Sequence, residues 1–428
     1  MNILFLTENF PPETNAAATR VFERACYWVK AGHDVTVMTC APNFPEGRLF
    51  PGYQNRWRQI DMMSGIRVVR VKSFITPNEG IVLRTLDFMS FMVTAYVAAL
   101  FEKRPDVVAA TSPQFFAAVA GWAVAACRRL PFVFELGDLW PASIIAVGAM
   151  KDNFLLRLME RLELFLYRRA AAIVALTAAF KKNLVGRGIL ADKIAVVLNG
   201  VDLPRYAPTP KDTKLAAQYG LENSFTIGYV GTHGMAHGLD NILSAAERLK
   251  NDSRVRFMLA GPGASRDALI ADAHKRGLDN VVFLPPQPKS RMPAVWSLCN
   301  VALIHLRDDP VFAKVIPSKI FEAMAMGLPL LIAVPHGEAT GIVEADGAGM
   351  VVAPGNPVAL ADAVLRLAND EVLRRKFAAR SLAAAPHHSR AHQATAMMAV
   401  LEAAATGCGH QAARHAENKT GTAPKPST

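Results

Sequence analysis

The sequence is poor in charged residues and in cysteine. Of its 428 residues, 19% are charged and 51% are hydrophobic, so the chain can bury more than one core, and two domains are expected. Its cysteines are odd in number, widely separated and without a CxxC pair, which argues against a disulfide framework and a structural zinc site. They are Cys26, Cys40, Cys127, Cys299 and Cys408. A reducing, cytoplasmic environment is therefore predicted.

Signals for secretion, for a membrane span and for nucleic-acid binding are also missing. The first residues, MNILFLTENF, have no basic region or cleavage site, so no signal peptide is expected. The most apolar stretch, Val82 to Phe101, contains Arg84 and Asp87, which favours a buried or interfacial helix over a spanning one. The net charge of +11 suits nucleic acid, a membrane surface or an anionic small molecule. Since no nucleic-acid-binding motif accompanies it, we expect no nucleic-acid partner.

Apolar runs of strand length alternate with helical stretches along most of the chain, which is typical of parallel sheets with crossover helices. The first six runs are Ile3 to Leu6, Val35 to Met38, Val68 to Val71, Val107 to Ala110, Phe132 to Glu135 and Ile173 to Leu176. The next six are Thr226 to Val230, Arg256 to Ala260, Val281 to Leu284, Val301 to Leu306, Leu330 to Val334 and Met350 to Val352. The pattern predicts an α/β fold of two Rossmann-like, doubly wound domains.

A turn-rich segment separates the two series. Asn199-Gly-Val-Asp202 is followed by Pro204, Pro208 and Pro210, as expected of a linker. We therefore predict an N-terminal Rossmann-like domain over residues 1–203 and a second Rossmann-like domain over 204–390. A C-terminal helix over 391–405 and a disordered tail over 406–428 complete the prediction.

Ligands of doubly wound sheets bind beyond the carboxyl ends of the strands, so the loops there are the candidate sites. The segment from Pro317 to Pro329 predicts a short helix with Pro317 in its first turn and Gly327 at its end. Backbone N–H groups at its start, with Ser318 and Lys319, suit a diphosphate, and Glu322 on the same face suits the hydroxyls of a ribose. The alternative is that Lys319 and Glu322 form an ordinary solvated pair.

Three further loops carry candidate residues. Gly231, Thr232, His237 and Gly238 lie in a glycine-rich loop through which a backbone can approach a ligand closely, or which is an ordinary turn with a surface histidine. After the first strand, Asn15 and Ala16 precede Arg20, which either reaches an anionic group of a ligand or merely lies on the helix surface. After the fifth strand, Asp138 either orients or deprotonates a ligand hydroxyl or caps the next helix.

These motifs resemble the retaining glycosyltransferases of family 4. PSKIFEAMAMGLPLL is similar to their donor-binding motif, and Asp138-Leu-Trp140-Pro resembles a segment of the WbuB-like branch. That branch is described as transferring amino sugars such as N-acetyl-L-fucosamine. The family's Glu-x7-Glu pair falls on Lys314 and Glu322, so the sugar-binding Glu is replaced by Lys314. The Arg and Lys of its phosphate clamp are replaced by Thr232 and His237, which leaves Lys319, helix N–H groups and a protonated His237 to meet the diphosphate.

The resemblance implies a GT-B fold, with two domains facing a cleft, and a retaining transfer that needs no metal ion or other cofactor. It further implies that the domain over 1–203 is on the acceptor side and that the domain over 204–390 binds the nucleotide-sugar. Lys319 and Asp138 are then the catalytic candidates, and Asn15, Ala16, Arg20, Asp138 and Trp140 lie on the acceptor or sugar side. The implied partners are a UDP-linked sugar and a lipid-linked saccharide acceptor of surface-polysaccharide synthesis, such as O-antigen. The alternatives are a UDP-sugar 2-epimerase of the same fold and a nonenzymatic nucleotide-sugar-binding scaffold.

Membrane attachment is a further hypothesis from the segment Phe154 to Arg169. One stripe of this predicted helix is apolar, with four arginines around it; it consists of Leu155, Leu158, Met159, Leu162, Phe165 and Leu166. Such a helix either lies on the cytoplasmic face of an anionic membrane or is a core helix of the first domain.

Overall fold

The structure, a computed structural model, describes residues 1–44, 46–76, 81–112, 115–139, 154–411 and 416. The chain divides into two compact units, Met1–Asn199 with Arg390–Thr428, and Gly200–Ser389. The chain thus leaves the first unit close to the predicted boundary at residue 203 and returns to it at Arg390. The predicted tail over 406–428 lies largely outside the described residues.

The first unit contains one eight-stranded sheet. Its strands are β1 Asn2–Leu6, β2 Asp34–Cys40, β3 Arg58–Met63, β4 Ile66–Val71, β5 Val107–Thr111, β6 Phe132–Leu136, β7 Ala172–Ala175 and β8 Ile194–Val196. Their order is β3-β4-β2-β1-β5-β6-β7-β8, and all neighbours are parallel except β3 and β4. The sequence pattern missed β3 and β8, because β3 alternates exposed with half-buried residues and β8 has only three residues.

Six helices surround this sheet in the described residues. They are α1 Ala16–Lys30, α2 Ile81–Leu100, α3 Phe115–Arg128, α4 Phe154–Arg169, α5 Ala178–Gly186 and, after the second unit, α14 Arg390–Ala405. The last was predicted to be a separate segment, but its buried face packs on α1, where the Trp28 indole N–H donates to the Ala394 carbonyl at 2.9 Å. The apolar face of α14 explains its return to the first unit.

The helix α4 packs one side on the core of the first unit. Leu166 and Tyr167 are fully buried, and the Phe165 ring packs edge-on against Trp122 with centroids 5.0 Å apart. On the predicted membrane-facing stripe, Leu158 is exposed, whereas Leu166 is not. The structure therefore favours the core-helix interpretation of this segment over the membrane-surface one.

The second unit contains a six-stranded, fully parallel sheet. Its strands are β9 Phe225–Val230, β10 Val255–Ala260, β11 Val281–Leu284, β12 Val301–His305, β13 Leu330–Ala333 and β14 Gly349–Val352. The order β11-β10-β9-β12-β13-β14 places the first strand next to the fourth, as in the doubly wound dinucleotide-binding topology. The predicted fold class of two Rossmann-like units is confirmed.

Eight helices belong to this unit. They are α6 Thr213–Gln218, α7 Asp240–Arg248, α8 Arg266–Lys275, α9 Met292–Ser297, α10 Lys319–Ala325, α11 Glu338–Asp346, α12 Pro357–Asn369 and α13 Glu371–Ala384. The predicted motif helix is α10, and it ends as expected, since Gly327 adopts a φ of 72° and Leu328 N–H closes back on the Ala323 carbonyl. Its start differs from the prediction, because Ser318 is the N-cap and Pro317 lies before the helix.

Candidate functional site

The candidate donor site lies where the strand order of the second sheet reverses. β9 and β12 are neighbours there, and their connections leave in opposite directions along the sheet. A doubly wound sheet binds its ligand beyond the carboxyl ends of such a strand pair. The chain after β9 carries the glycine-rich loop and the chain after β12 leads to α10, so the predicted donor-binding residues converge on this point.

Two glycine-rich loops, one after β9 and one after β10, contact each other through their backbones at this edge. The His233 N–H donates to the Pro262 carbonyl at 2.7 Å. A Cβ atom on Gly263, whose φ is 154°, would overlap the backbone of His233, and one on Gly261 would overlap the carbonyl of Gly231. Since no side chain fits between them, these loops require glycine, and the loop after β9 is more than an ordinary turn.

Lys319, the first residue of α10, has its amine enclosed in this loop. Among the described residues Nζ has no hydrogen-bond partner, it is inaccessible to solvent, and it lies 3.9 Å from the centroid of the Tyr229 ring. A Cβ atom on Gly231 would overlap it. Burial lowers the pKa of Lys319 to about 7, against the opposing effect of Glu322. The solvated-pair interpretation is therefore wrong, and an anion placed against Nζ would stabilise its charged form.

Glu322 lies one turn further along α10. Its Oε2 accepts a hydrogen bond from the indole Nε1 of Trp296, a fully buried side chain of α9, at 3.2 Å. The indole orients the carboxylate, which remains half-buried. Sequence analysis named Glu322 but missed Trp296, because only the folded chain brings α9 and α10 together.

His237 belongs to the same loop but does not supply the predicted positive charge. Burial and then the charge of Lys319 lower its pKa to about 4, so the ring is neutral near pH 7. Its carbonyl accepts a hydrogen bond at 2.7 Å from Nδ1 of His305, whose Nε2 accepts from the Asn241 amide at 2.8 Å. This assignment follows from the fact that a carbonyl only accepts and an amide nitrogen only donates. His305 therefore fixes the loop to the end of β12.

Two groups at this edge were not predicted from the sequence. His233 is fully buried between Tyr229 and Phe283, and burial, Arg266 and Lys319 lower its pKa to about 4. Arg266 opens α8 and has an inaccessible Nε without a hydrogen-bond partner in the described part of the chain. Arg266 is therefore a basic group close to His233, at a helix start that the sequence analysis did not single out.

The remaining predicted donor residues occupy the rim of this edge. Thr232 is exposed, and its carbonyl accepts the Tyr229 hydroxyl at 2.8 Å, while Gly238 adopts a left-handed φ of 56°. Ser318 is half-buried at the N-cap of α10 without a side-chain capping bond. Lys314 is exposed at the end of the short turn Pro310–Lys314.

In the first unit, Arg20 is a structural ion-pair residue. Its Nε donates to Glu135 at 3.0 Å and its Nη2 donates to Thr111 at 3.2 Å, with 5% of the residue exposed. Arg24 also donates to Glu135. Burial raises the pKa of Glu135, but Arg24 and Arg20 outweigh burial and hold it at about 2. The alternative that Arg20 merely lies on the helix surface is therefore wrong, because its charge compensates the buried carboxylate of β6, and its contact with donor or acceptor stays a prediction.

The other acceptor-side predictions lie around the same strand ends. Asn15 caps α1 through a 2.9 Å bond from Ala18 N–H to Oδ1, and Ala16 is the first helical residue. Asp138 follows β6 and is half-buried. Burial and then Glu163 raise the pKa of the Tyr167 phenol, and Asp138 adds to this effect. Trp140 lies outside the described residues.

A cluster of buried carboxyl groups beyond the end of β1 was also missed. Glu8 and Asp87 are 5% and 8% exposed, and burial, followed by mutual repulsion with Asp87, raises the pKa of Glu8. Burial likewise raises the pKa of Asp87 to about 7, with Arg84 opposing. Glu13 accepts two backbone N–H bonds, from Asn43 and Phe44. The cluster joins distant parts of the sequence, so no local pattern reveals it.

Family models match both units. The model of a glycosyl transferase 4-like domain matches residues 15–200, and the model of glycosyl transferases group 1 matches residues 211–382. This chain belongs to the glycosyltransferases. Its 4-like domain falls in the first unit and its group 1 domain, which holds Lys319 and Glu322, falls in the second.

Similar proteins agree with this assignment. The putative colanic acid biosynthesis glycosyl transferase WcaI of Escherichia coli (strain K12) is 23% identical over 76% of this glycosyltransferase and 82% of the relative. The putative teichuronic acid biosynthesis glycosyltransferase TuaH of Bacillus subtilis (strain 168) is 24% identical over 46% of this chain and 49% of the relative. The Anabaena protein HepE, solved in complex with UDP, superposes with a TM-score of 0.70 at 19% identity, covering 94% of this chain and 100% of HepE. The GT-B fold is thereby confirmed.

Proposed function

We propose that this glycosyltransferase moves a sugar from a UDP-linked donor to a lipid-linked or saccharide acceptor in surface-polysaccharide synthesis, with retention at the anomeric carbon and without a metal ion. The observation that carries the proposal is the enclosed amine of Lys319, which has no hydrogen-bond partner among the described residues and lies over the Tyr229 ring. A diphosphate at the edge formed by β9 and β12 provides the anion that this amine lacks.

A uridine diphosphate fits the residues around Lys319. The Glu322 carboxylate, oriented by Trp296, is placed one turn along α10 to accept hydrogen bonds from ribose hydroxyls. HepE, which has the same fold, was solved in complex with UDP and with UDP-glucose. These two observations support UDP as the nucleotide of the donor.

In the proposed transfer, the bond between the anomeric carbon and the β-phosphate oxygen breaks, and its electron pair stays with the departing UDP. Lys319 in its charged form stabilises the developing negative charge on that oxygen. The acceptor oxygen bonds to the anomeric carbon on the face from which UDP departs, so that the configuration is retained. It gives its proton to a base, for which Asp138 beyond β6 is the candidate. Charge stabilisation by protein side chains is the role that a metal ion would otherwise fill.

The sugar and acceptor follow from resemblance and from the relatives' names. The Asp138-Leu-Trp-Pro segment resembles that of the branch described as transferring N-acetylated amino or deoxyamino sugars. Such a sugar is therefore the proposed transferred group. WcaI and TuaH are named for colanic acid and teichuronic acid synthesis, which supports a surface polysaccharide as the product. A lipid-linked acceptor would be met at the cytoplasmic face of the plasma membrane.

The test is a transfer assay with a panel of UDP-sugars and membrane lipid extract as the acceptor source, followed by NMR of the product's anomeric configuration. We expect UDP release that depends on the acceptor and a product that retains the donor configuration. Because Lys319→Ala removes a charge-stabilising group, we expect it to slow the reaction at least about 100-fold. Lys250→Ala, at an exposed position of the same unit, is the matched control. Epimer formation without acceptor, or donor binding without turnover by every UDP-sugar, would replace the proposal by the 2-epimerase or the scaffold.

A further inference from the structure

Three buried polar side chains at the carboxyl edge of the first sheet lack hydrogen-bond partners. They are Glu8 beyond β1, Ser73 beyond β4 and Asp87 in the second turn of α2, and Ser73 is only 4% exposed. Among the described residues, Glu8 Oε2, Ser73 Oγ and Asp87 Oδ1 are inaccessible to solvent and make no hydrogen bond. Since buried polar groups are normally paired, three unpaired ones in one place call for a partner that is not part of the chain.

Ser73 is held beside Asp87 by a short chain of hydrogen bonds. The backbone N–H of Phe74 donates to the Ser90 hydroxyl at 2.7 Å, and that hydroxyl donates to the Asp87 carbonyl at 2.7 Å. The chain beyond β4 is thereby fixed to the turn of α2 that carries Asp87. Glu8 is close as well, since burial and then the charge of Asp87 raise its pKa. The three unpaired groups therefore form one site.

Glu13, the third carboxyl group of this cluster, is different because both of its oxygens are bonded within the protein. Its Oε1 accepts the backbone N–H groups of Asn43 and Phe44 at 2.8 and 2.9 Å, and its Oε2 accepts from the Asn9 amide at 2.9 Å. Glu13 thus has a structural role that its contacts explain. No contacts of this kind explain the burial of the other two carboxyl groups.

The site is suited to neutral hydroxyl groups. Burial favours the protonated form of Glu8 and holds the pKa of Asp87 at about 7, so near neutral pH the pair offers O–H donors as well as acceptors. The Ser73 hydroxyl also donates and accepts. A sugar hydroxyl has the same two capacities and needs no counter-charge, whereas a phosphate would lie against two carboxyl groups.

An exposed aromatic ring adjoins the site. Phe74 follows Ser73 directly and is 50% exposed. Its backbone is fixed, because the Asn55 amide donates to the Ser73 carbonyl at 2.7 Å and accepts the Ser73 N–H at 3.1 Å. Sites for small molecules combine such apolar surface with a few polar groups that set the orientation, and the C–H face of a sugar ring is apolar.

We propose that Glu8, Ser73 and Asp87 bind neighbouring hydroxyl groups of a neutral acceptor sugar. Phe74 packs against the apolar face of that sugar. This inference rests on the proposed transferase function and narrows it, because the acceptor group that enters the first unit is then a saccharide and not a lipid phosphate. For a lipid-linked acceptor, an earlier transfer of a sugar to the lipid phosphate must supply the substrate. These residues determine acceptor specificity, and Asp138 remains the candidate base.

The test measures binding of small saccharides to the full chain at pH 7, without donor, by saturation-transfer difference NMR. The probes are the methyl glycosides of glucose, galactose, mannose, fucose and N-acetylglucosamine, each with its monodeoxy analogues. Glycerol phosphate serves as the anionic competitor and methylammonium as the cationic one. The variants Glu8→Met, Asp87→Leu and Phe74→Ala are compared with Asp192→Leu and Phe101→Ala, at exposed positions of the same unit.

We expect at least one methyl glycoside to bind the wild type and both control variants equally, and to bind the three site variants at least about tenfold more weakly. Removing one hydroxyl from the bound glycoside should weaken its binding to the wild type but not to Asp87→Leu. The melting temperatures of Glu8→Met and Asp87→Leu should equal or exceed that of the wild type, because apolar groups of similar size replace unpaired polar ones. UDP binding should be unchanged in all variants.

The inference is overturned if no methyl glycoside binds, if the control variants lose binding equally, or if either competitor displaces the glycoside. A fall in the melting temperatures of both Glu8→Met and Asp87→Leu would also overturn it, since the two groups would then serve the fold. Absence of transfer with intact glycoside binding would overturn the transferase proposal. Transfer that proceeds with an unchanged acceptor KM in the site variants would overturn this inference alone.

Discussion

The low pKa of the Lys319 amine predicts that UDP binds more weakly as the pH rises. In the empty site burial holds this pKa at about 7, whereas an amine against a diphosphate stays protonated. With one linked proton, the apparent dissociation constant is proportional to 1 + 10^(pH − pKa). Between pH 7 and pH 8.5 the affinity for UDP should therefore fall by about 16-fold.

This range avoids the other titrating groups near Lys319 and on UDP. The second ionisation of the terminal phosphate of UDP has a pKa of about 6. Burial and the charge of Lys319 keep His237 near a pKa of about 4, and burial raises the pKa of the Tyr229 phenol far above its usual value. Isothermal titration calorimetry at four pH values tests the slope, with Lys319→Met expected to bind weakly and independently of pH. A flat wild-type affinity over this range, or a variant that binds as tightly as the wild type, would refute the assigned contact.

Three further perturbations test the geometry. Gly231→Ala places a Cβ atom against the Lys319 amine and should weaken UDP binding at least about tenfold by calorimetry. Glu135→Gln leaves Arg24 buried without its counter-charge and should lower the free energy of unfolding in urea by about 3–5 kcal/mol. Burial raises the pKa of Asp87 in the folded state to about 7, above its value in the unfolded chain. The stability contributed by the protonated carboxyl is therefore fully present below the unfolded pKa and is lost as the pH rises through 7. Asp87→Asn should therefore gain stability relative to wild type from pH 5 to pH 7, by at most about 1.4 kcal/mol per pH unit.

Each of these predictions has a comparison that could contradict it. Gly341→Ala, at an exposed helical position where a Cβ atom meets nothing within 4 Å, should leave UDP binding unchanged, and equal effects of the two alanines would argue against a specific overlap. A loss below about 1 kcal/mol in Glu135→Gln would mean that water reaches the arginines. Parallel stability curves for Asp87→Asn and wild type would show that Asp87 is ionised throughout.

The alternation of apolar runs was enough to predict both Rossmann-like sheets, because a strand covered on both sides must be apolar along its whole length. β3 escaped this pattern, since an antiparallel edge strand buries little of its surface, and so did the three-residue β8. The return of α14 to the first unit escaped it for another reason. An apolar helix face indicates that the helix packs on another element, but it does not indicate in which unit that element lies.

The candidate site was predictable where its chemistry is local. Glycine spacing located the loop after β9, and the helix signals located Lys319 and Glu322 on α10. What sequence could not give was burial. The neutral state of His237, the recruitment of Arg20 by Glu135, and the indole of Trp296 beside Glu322 all depend on residues far apart in the chain.

The most direct test of the donor assignment is thermal stabilisation of the purified chain by UDP, GDP, NAD and several UDP-sugars, measured in parallel with Glu322→Ala. The account predicts that UDP and UDP-sugars raise the melting temperature of the wild type and that Glu322→Ala abolishes the rise. No shift with any nucleotide, or an equal shift in the variant, would contradict a nucleotide-sugar site at α10.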